Sequence, residues 1–392
     1  MTAVRLATYY GVIFLVIGVM LPFWPLWMSS RGLGPEEIGV VMAVGMMMKV
    51  FANPLVAGFA DRTGERKRPL IALSIIAGAA FSMFYGAQGF WPVLLVTMAF
   101  FFFWSPLMPI IETLTMQLGR NQDLDYGRIR LWGSLTFIIG AWGMGWLLTG
   151  RDIDLVYWAT FGGTLAVAAA AFFLPDVNAA APSNEKSPEV QTLILTVLKD
   201  RTFLVFIAAA GLIQTSHIIY YAFGTIHWQK SGLSEFVIGA LWAEGVVAEI
   251  LLFIWGEKLI RRFGAARLIA LAGLAGLIRW GFTGMTDDLG ALVVLQALHG
   301  LTFGAAHLGA IHFIARRMDP AIAATAQSVY AAAVMGLGFG LASSFSGHLY
   351  ATQGAAAYLP MAIMAGAGGV LAYMLRRPPD ENGQDRYLGS GA

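Results

Sequence analysis

The stretch from Gly58 to Arg68 reads GFADRTGERKR, and it decides how the rest of the chain is interpreted. Long apolar runs lie on both sides of it, over 38–60 and 69–88. A run of about 20 apolar residues is long enough to cross the hydrocarbon core of a membrane as a helix. Because glycine and basic residues are concentrated between two such runs, the stretch predicts a tight, charged loop that joins two membrane-spanning helices.

The composition of the whole chain supports a membrane location. Of its 392 residues, 58% are hydrophobic and 12% are charged, whereas a soluble domain carries about 25% charged residues. Most of the surface therefore cannot face water. The sequence contains no cysteine, which excludes disulfides, thiolate nucleophiles and cysteine-ligated metal ions.

Apolar runs of membrane-spanning length recur along the chain, and each is expected to be helical because lipid cannot satisfy an exposed backbone. The pattern predicts an all-α membrane protein with twelve transmembrane helices. The predicted spans are 6–28, 37–60, 70–88, 92–117, 131–149, 155–174, 203–228, 236–256, 266–285, 289–315, 322–347 and 356–375.

A polar segment divides these spans into two sets of six. It is rich in Pro, Ser and charged residues and contains no long apolar run. The predicted domains are therefore a first half at 1–175, a linker at 176–201, a second half at 202–377 and a tail at 378–392. The segment Gly256–Gly264 repeats part of the Gly58–Arg68 pattern after the second span of the second half, as expected for two related halves.

Basic residues are distributed unevenly between the two ends of the helix array. Most of the 25 Lys and Arg residues fall in the terminal segments, in the linker and in loops on the side of Gly58–Arg68, which we call the basic end. Only Arg31, Arg151 and Lys230 are expected at the other side, which we call the opposite end. By the positive-inside rule, both termini and the linker are expected on the cytoplasmic side of the membrane.

Ionisable residues inside membrane spans are costly, so each is a candidate functional residue. Glu112 follows Pro106 and Pro109 in the fourth span, and a broken helix at membrane depth is tolerated only beside protein or water. Arg130 opens the fifth span, about 200° around the helix from Arg128. We expect Glu112 to face a cavity and to bind a substrate or a proton. Arg130 is expected to face the cavity because it lies deeper, while Arg128 lies at the cytoplasmic lipid interface. The alternative for Glu112 is a structural ion pair with an arginine of the fifth span.

Three more residues are candidates for contact with a substrate. Arg279, in the ninth span, has no acid nearby in sequence, so its guanidinium must find a carboxylate, a carbonyl or an anionic ligand. Lys49 lies in the middle of the second span and is expected to pair with an acid or an anionic substrate. Trp132 is expected to line the cavity and to stack on an aromatic ring.

Acids and histidines in the spans are candidates for proton coupling. Glu244 and Glu249 are about 140° apart on the eighth span and therefore serve different faces, whereas His299 and His307 are about 80° apart on the tenth and could border one cavity. Hydrogen bonding between helices is the alternative for the histidines, and a metal site is not expected because no carboxylate ligand adjoins them. The full set of proton-coupling candidates is Glu112, Glu249, Glu244, His217, His299 and His307.

Several function classes find no support in the sequence. It contains no phosphate-cradling loop, no Ser-His-Asp pattern and no nucleic-acid motif. We therefore expect no ATP-driven step, no enzyme activity, no cofactor, no bound metal and no nucleic-acid partner. The expected partners are a small-molecule substrate, protons and membrane lipid, and the protein is expected to be a monomer.

With these residues placed, the chain resembles the major facilitator superfamily of transporters, and within it the phenylpropionate permease group. The resemblance covers nearly the whole chain, and Glu244 departs from the group because that position tends to be apolar there. The segments that carry it are Gly58–Arg68, Leu21–Trp24, Phe103–Glu112, Asp125–Ser134, Leu241–Glu249, Arg279–Gly281 and Leu298–His307.

A more distant resemblance to the lactose permease (oligosaccharide:proton symporters) concerns the charged residues. The spacings of Glu112 from Arg130 and of Arg279 from His299 match those of that family. The resemblance implies that the first pair contacts the substrate and that the second belongs to the coupling and gating region. The family's proton-carrying glutamate is replaced here by Thr302, so another group must carry protons if protons drive transport.

The resemblance implies a major facilitator fold that alternates between inward-open and outward-open states. It also implies that the stretch Gly58–Arg68 holds the cytoplasmic gate closed, with Asp61 and Arg62 pairing across it. The gating residues implied in this way are Gly58, Asp61, Arg62, Gly64, Arg66 and Lys67.

The sequence thus predicts proton-coupled uptake of a small organic solute such as an aromatic monocarboxylate (3-phenylpropionate-like). A proton-coupled sugar or nucleoside symporter is the first alternative, because an acid–arginine pair also binds hydroxyl groups, and drug efflux is the next. A non-transporting membrane sensor or scaffold is the alternative from another class, although such a protein gains little from buried charges.

Overall fold

The computed structural model describes residues 1–122, 124–176 and 190–375. In these ranges the regular structure is entirely helical, with no β-strand. The α-helices are α1 (Thr2–Ser30), α2 (Pro35–Thr63), α3 (Lys67–Ser82), α4 (Phe90–Trp104), α5 (Leu107–Gln122), α6 (Tyr126–Leu148), α7 (Asp154–Phe172), α8 (Val190–Lys199), α9 (Arg201–Thr215), α10 (Ile218–Lys230), α11 (Glu235–Ile254), α12 (Gly256–Phe263), α13 (Ala265–Thr283), α14 (Leu289–Ala297), α15 (Ala306–Arg317), α16 (Pro320–Tyr330), α17 (Phe339–Gln353) and α18 (Tyr358–Met374).

Eleven helical segments of the described chain are long and apolar enough to cross a membrane. The last of them, Thr325–Met374, has 50 residues, which would be about 75 Å long as a straight helix. The hydrocarbon core is about 30 Å thick, and the segment turns at Gly354, whose φ is 56°. It therefore supplies two spans, and the predicted all-α fold is confirmed.

Some spans are interrupted, and the interruptions have local causes. The fourth span is divided into α4 and α5 at Ser105, just before Pro106, as the prolines predicted. The seventh is divided into α9 and α10 at Ser216 and His217, which the sequence did not predict. Two spans contain π-helical turns, at Gly300–Ala305 and Ala331–Gly338, and such turns frequently occur at functional sites.

The basic stretch is more helical than the sequence predicted. Helix α2 continues to Thr63 and ends at Gly64, whose φ of 68° is the left-handed conformation that glycine favours. The predicted loop of Gly58–Arg68 is therefore reduced to Gly64–Arg66. Arg66 is 5% exposed, while Arg68 pairs with Glu65 over 2.7 Å.

The most extensive contacts between the two halves join two pairs of helices, α2 with α17 and α6 with α11. Both crossings lie near the opposite end and depend on glycine. A β-carbon at any of four glycines would collide with the backbone of the partner helix, so the helices touch almost without side chains between them. These glycines are Gly39 and Gly347 at the first crossing and Gly145 and Gly239 at the second.

The same crossings reveal the internal repeat more clearly than the similarity between Gly58–Arg68 and Gly256–Gly264 does. Gly39 and Gly239 each follow a glycine with positive φ by seven residues, namely Gly32 (88°) and Gly232 (89°). Each then packs on a helix of the other half. The halves are therefore built on one plan, in which the second and eighth spans correspond.

The linker contains a helix that the sequence analysis missed. In α8, Val197 is buried among apolar residues of the second half. Asp200 follows and caps α9 by accepting hydrogen bonds from the backbone N–H groups of Thr202 (2.8 Å) and Phe203 (3.2 Å). It also pairs with Arg317 over 3.2 Å. The described part of the linker is thus attached to the second half.

Candidate functional site

A cavity of about 210 Å³ lies between the halves, where α1 and α6 of the first half face α10, α11 and the π-helical part of the tenth span. Most of its wall is aromatic or aliphatic, and the exceptions include one arginine, one glutamate and one serine. The lining residues are Phe14, Ile17, Leu21, Arg130, Ser134, Phe137, Tyr220, Tyr221, Trp242, Val246, Glu249, His299 and Phe303.

Arg130 supplies the cation of the cavity wall. Asp125 begins α6 as its N-cap, accepting a hydrogen bond from the Arg128 backbone N–H at 3.1 Å. In the register that this cap sets, Arg130 and Ser134 lie one helical turn apart on the cavity face. The Arg130 guanidinium lies 4.0 Å from the ring centre of Phe14, and no ion pair holds it among the described residues.

Glu249 supplies the carboxylate of the wall, from the other half. It lines the cavity, whereas Glu244 does not, in agreement with the predicted separation of the two acids on α11. Glu249 lies within electrostatic range of Arg130 but outside ion-pair distance. The cavity therefore contains one basic and one acidic side chain, contributed by different halves and not in direct contact.

Glu112 and Lys49 are among the predicted site residues that lie outside this cavity lining. Glu112 is half-buried on α5 and within electrostatic range of Arg130. Lys49 is half-buried on α2, between Met47 and Val50, which contact glycines of the eleventh span. Neither has an ion-pair partner among the described residues, so the alternative of a structural ion pair between Glu112 and an arginine of the fifth span is not observed.

Arg279 lies behind the cavity wall and is fully buried. Its Nη1 atom donates to His299 Nδ1 and to Thr302 Oγ1, both at 2.9 Å, and its Nη2 atom donates to Gln296 Oε1 at 2.5 Å. The guanidinium also lies 4.3 Å from the ring centre of Trp280. Both Nη atoms of Arg279 thus donate to neutral partners, while its buried Nε has no partner among the described residues. Arg279 lies in a second layer of side chains behind the cavity lining, not at the position expected for direct contact with a substrate.

The hydrogen bonds of this cluster fix the protonation of two histidines. Because His299 Nδ1 accepts from Arg279, its proton is on Nε2. His217 directs Nδ1 toward the carbonyl oxygens of Ile213 (3.2 Å) and Gln214 (3.0 Å), so Nδ1 carries the proton. His217 Nε2 lies 3.1 Å from Thr302 Oγ1. His299 is neutral in this arrangement, because its Nδ1 atom accepts a hydrogen bond, and the cluster keeps the positive charge of Arg279.

Three rings form a stacked ladder along the tenth span. The rings of His299 and Phe303 are 5.4 Å apart and nearly parallel, and those of Phe303 and His307 are 6.2 Å apart at 8°. The π-helical turn lies between the two histidines and sets this spacing. Of the three, His299 and Phe303 line the cavity and His307 does not. The described residues contain no group of three His, Asp or Glu side chains that could hold a metal ion.

The predicted cavity position of Trp132 is wrong. Its side chain is 55% exposed and lines a groove between α1 and α6 that does not include the cavity residues. The reason is helix geometry, because Trp132 and Arg130 are about 200° apart on α6. The gating interaction expected between Asp61 and Arg62 concerns side chains outside the described residues.

Sequence reasoning missed most of the aromatic lining. Tyr220 and Trp242 are stacked with ring centres 4.2 Å apart. Gln296 donates to the Tyr220 hydroxyl at 3.0 Å and to the Leu241 carbonyl at 3.1 Å, which ties this stack to Arg279. Aromatic residues are 13% of the chain, so their type alone did not single these out. The glutamine, a polar residue within an apolar span, was the available signal.

Comparisons with known proteins agree with this architecture. The model of the MFS_1 like family matches residues 3–359. The chain is 32% identical to the probable 3-phenylpropionic acid transporter of Escherichia coli (strain K12), over 92% of this chain and 94% of that protein. It is 26% identical to the maltose permease of Geobacillus stearothermophilus, over 96% and 95% of the two chains.

Among solved structures, the chain resembles the nucleoside transporter NupG (D323A mutant). The TM-score is 0.85 at 18% identity, over 96% of this chain and 99% of that one. At this identity the likeness supports the fold alone.

Proposed function

The chain belongs to the MFS_1 like family of major facilitator transporters, and from this premise we propose that it carries a small aromatic monocarboxylate across the membrane together with a proton. It is a multi-pass protein of the bacterial inner membrane. The relative with 32% identity is named as a probable transporter of 3-phenylpropionic acid, which is such a substrate.

The cavity is the observation that carries the proposal. Pockets for drug-sized ligands are about 300–1,000 Å³, so a cavity of about 210 Å³ suits a solute with a single small ring. The stacked rings of Tyr220 and Trp242 offer a face for that ring. Arg130 offers a guanidinium, which binds a carboxylate with two parallel hydrogen bonds.

The charges of the cavity suggest how a proton is coupled. Without substrate, Arg130 and Glu249 balance each other across the two halves. A substrate carboxylate bound to Arg130 would replace Glu249 as its counter-charge and leave an acid in an apolar cavity with no cation. Since an uncompensated buried charge is costly, Glu249 would then take up a proton. Glu112 is the second candidate for this role.

Arg279 and its neutral partners are proposed to position the cavity wall rather than to touch the substrate. His299 and Tyr220 both line the cavity and both belong to the hydrogen-bonded cluster around Arg279. The cluster therefore fixes the orientation of two wall residues. It also adds a positive charge behind the wall, which favours an anionic solute.

Orientation and organisation remain part of the proposal. We place both termini and the linker in the cytoplasm and retain the halves 1–175 and 202–377. The glycine crossings at the opposite end then close the outer face of the cavity. We also propose that the protein acts as a monomer and that the stretch Gly58–Arg68 takes part in the cytoplasmic gate.

A neutral sugar or nucleoside is the second candidate substrate. Its support is the spacing of Glu112 and Arg130 and the relatives named as sugar and nucleoside permeases. The cavity volume argues against oligosaccharides, and Glu112 does not line the cavity together with Arg130.

The test is uptake of labelled 3-phenylpropionate and of a labelled galactoside into proteoliposomes, with and without an inward proton gradient. We expect gradient-driven accumulation of 3-phenylpropionate that the neutral analogue 3-phenylpropionamide inhibits only weakly. Accumulation of the galactoside alone would move the assignment to sugars. If neither solute moves in protein that unfolds cooperatively on heating, the aromatic-acid assignment is wrong.

A further inference from the structure

A groove on the membrane side of the first half has features that the transport mechanism does not use. It lies between α1 and α6 and has a volume of about 420 Å³. Apart from two threonines, its wall is formed by apolar residues. The lining residues are Val4, Ala7, Thr8, Gly11, Val12, Leu15, Trp132 and Thr136.

The groove lies where α1 and α6 are less close than at the level where their backbones meet. The two helices run in the same direction and meet at Gly18 and Gly140. A β-carbon at Gly18 would collide with the backbone of Phe137, and one at Gly140 with the carbonyl oxygen of Leu15. Nearer the basic end, a β-carbon on Gly11 would only reach ordinary contact with Thr136, at 3.4 Å.

The length of the groove matches one leaflet of a bilayer. From Val4 to Leu15 the helix rises about 16 Å, and half of the hydrocarbon core is about 15 Å. The groove also lies apart from the cavity, because Trp132 and Arg130 lie on different faces of α6. An extended acyl chain therefore has the length and the apolar character that the groove accepts.

Positive charge lies at the mouth of the groove. Arg128 is one helical turn before Trp132 on the same face, and its side chain is 88% exposed. Its partner is Asp125 at 3.2 Å, an exposed pair that contributes little. Arg5 is exposed next to Val4 and has no ion pair among the described residues.

We propose that this groove binds one anionic phospholipid, with an acyl chain along α1 and the phosphate between Arg5 and Arg128. Trp132 then lies where indole rings are common, at the level of the headgroups. Among the described residues, two arginines and one acid, Asp125, lie at the ends of the two helices that form the groove, so we expect an anionic headgroup. The site is independent of the cavity and of the solute that the cavity carries.

The test is a lipid titration of the delipidated full-length protein in detergent, followed by native mass spectrometry. Phosphatidylglycerol is compared with phosphatidylcholine of the same acyl chains. A basic residue near a lipid surface favours anionic lipid by about fivefold, so two predict a preference of roughly 25-fold. Equal binding of the two lipids would overturn the proposal.

Variants separate the headgroup from the acyl chain. Arg5→Gln with Arg128→Gln should abolish the preference for phosphatidylglycerol, whereas Arg151→Gln, an exposed arginine at the opposite end, should retain it. Gly11→Leu and Val12→Trp each fill the groove and should weaken the binding of both lipids at least fivefold. Because either could impair folding, the melting temperature of each in lipid-free detergent is compared with that of the wild type. Loss of preference in Arg151→Gln, or unchanged binding in both filled variants, would contradict the assignment.

Discussion

Arg130 and Arg279 are both cations within membrane spans beside one cavity, yet their surroundings are opposite. Arg279 is fully buried and donates to three neutral acceptors. Arg130 lines the cavity and rests on the ring of Phe14, with no ion pair among the described residues. The protein engages both Nη atoms of Arg279, whereas Arg130 has no carboxylate partner among the described residues. We therefore expect the hydrogen-bond partners, rather than charge or depth, to distinguish an arginine that positions the cavity wall from one that binds the solute.

The largest effect is expected from Arg279→Met. Three buried acceptors would lose their donor, and each unsatisfied group costs about 1–3 kcal/mol. We expect the variant to unfold at a clearly lower temperature, with at least about 3 kcal/mol lost, and uptake to disappear with it. Thermal unfolding in detergent measures this. A variant as stable as the wild type that has lost only substrate affinity would mean that Arg279 binds the solute directly.

Arg130→Met should separate binding from stability. Removing one partner of a desolvated charge pair typically costs 2–5 kcal/mol, so we expect KM for 3-phenylpropionate to rise roughly 100-fold. The melting temperature should stay close to that of the wild type, because Arg130 holds no other charged group in place. Arg267→Gln, an exposed arginine at the basic end, is the matched control and should leave KM unchanged. A large fall in the melting temperature of Arg130→Met would place Arg130 with Arg279 as a structural residue.

Glu249→Gln tests whether Glu249 takes up the proton when a substrate carboxylate binds Arg130. A difference of one pH unit supports about tenfold accumulation of a solute that moves with a proton, and this accumulation should disappear in the variant. Exchange of labelled for unlabelled substrate should persist, because it needs no net proton movement. The same assays on Glu112→Gln identify which acid carries the proton. Accumulation retained in Glu249→Gln and lost in Glu112→Gln would transfer the role to α5.

Lys49→Met is expected to have the smallest effect. Lys49 does not line the cavity, and the influence of a charge falls with distance, so we expect KM to change by about threefold or less. Uptake kinetics measure the change. An effect as large as that of Arg130→Met would show that the solute contacts Lys49 during transport and that the cavity described here is one part of a longer path.

The fold was predictable because the length of an apolar segment decides whether it can cross the membrane. A helix must contain about 20 apolar residues to cross the core, and this limit located the spans from composition alone. The helix α8 was missed because it is short and amphipathic, and because the linker was identified only by its polar composition. The break at His217 was missed because neither proline nor glycine marks it.

The site was predictable only where charge marks it. Arg130 and Glu249, which line the cavity, were candidates because charges are rare in spans. The lining residues Trp242 and Tyr220 were not candidates, since aromatic residues are common in every span. Trp132 was misplaced although the rule that excludes it was already applied to Arg128. Residues two apart on a helix lie on different faces. The partners of Arg279 could not be predicted, because they depend on how three helices pack together.

The four glycines at the crossings of α2 with α17 and α6 with α11 have a consequence for divergence. Each lies where a side chain would strike backbone, so selection can tolerate almost no alternative there. The rings of the cavity are under a weaker constraint, since one aromatic residue can replace another at modest cost. We therefore expect related chains to differ in their cavity residues, and so in the solute they accept, more readily than in these four glycines.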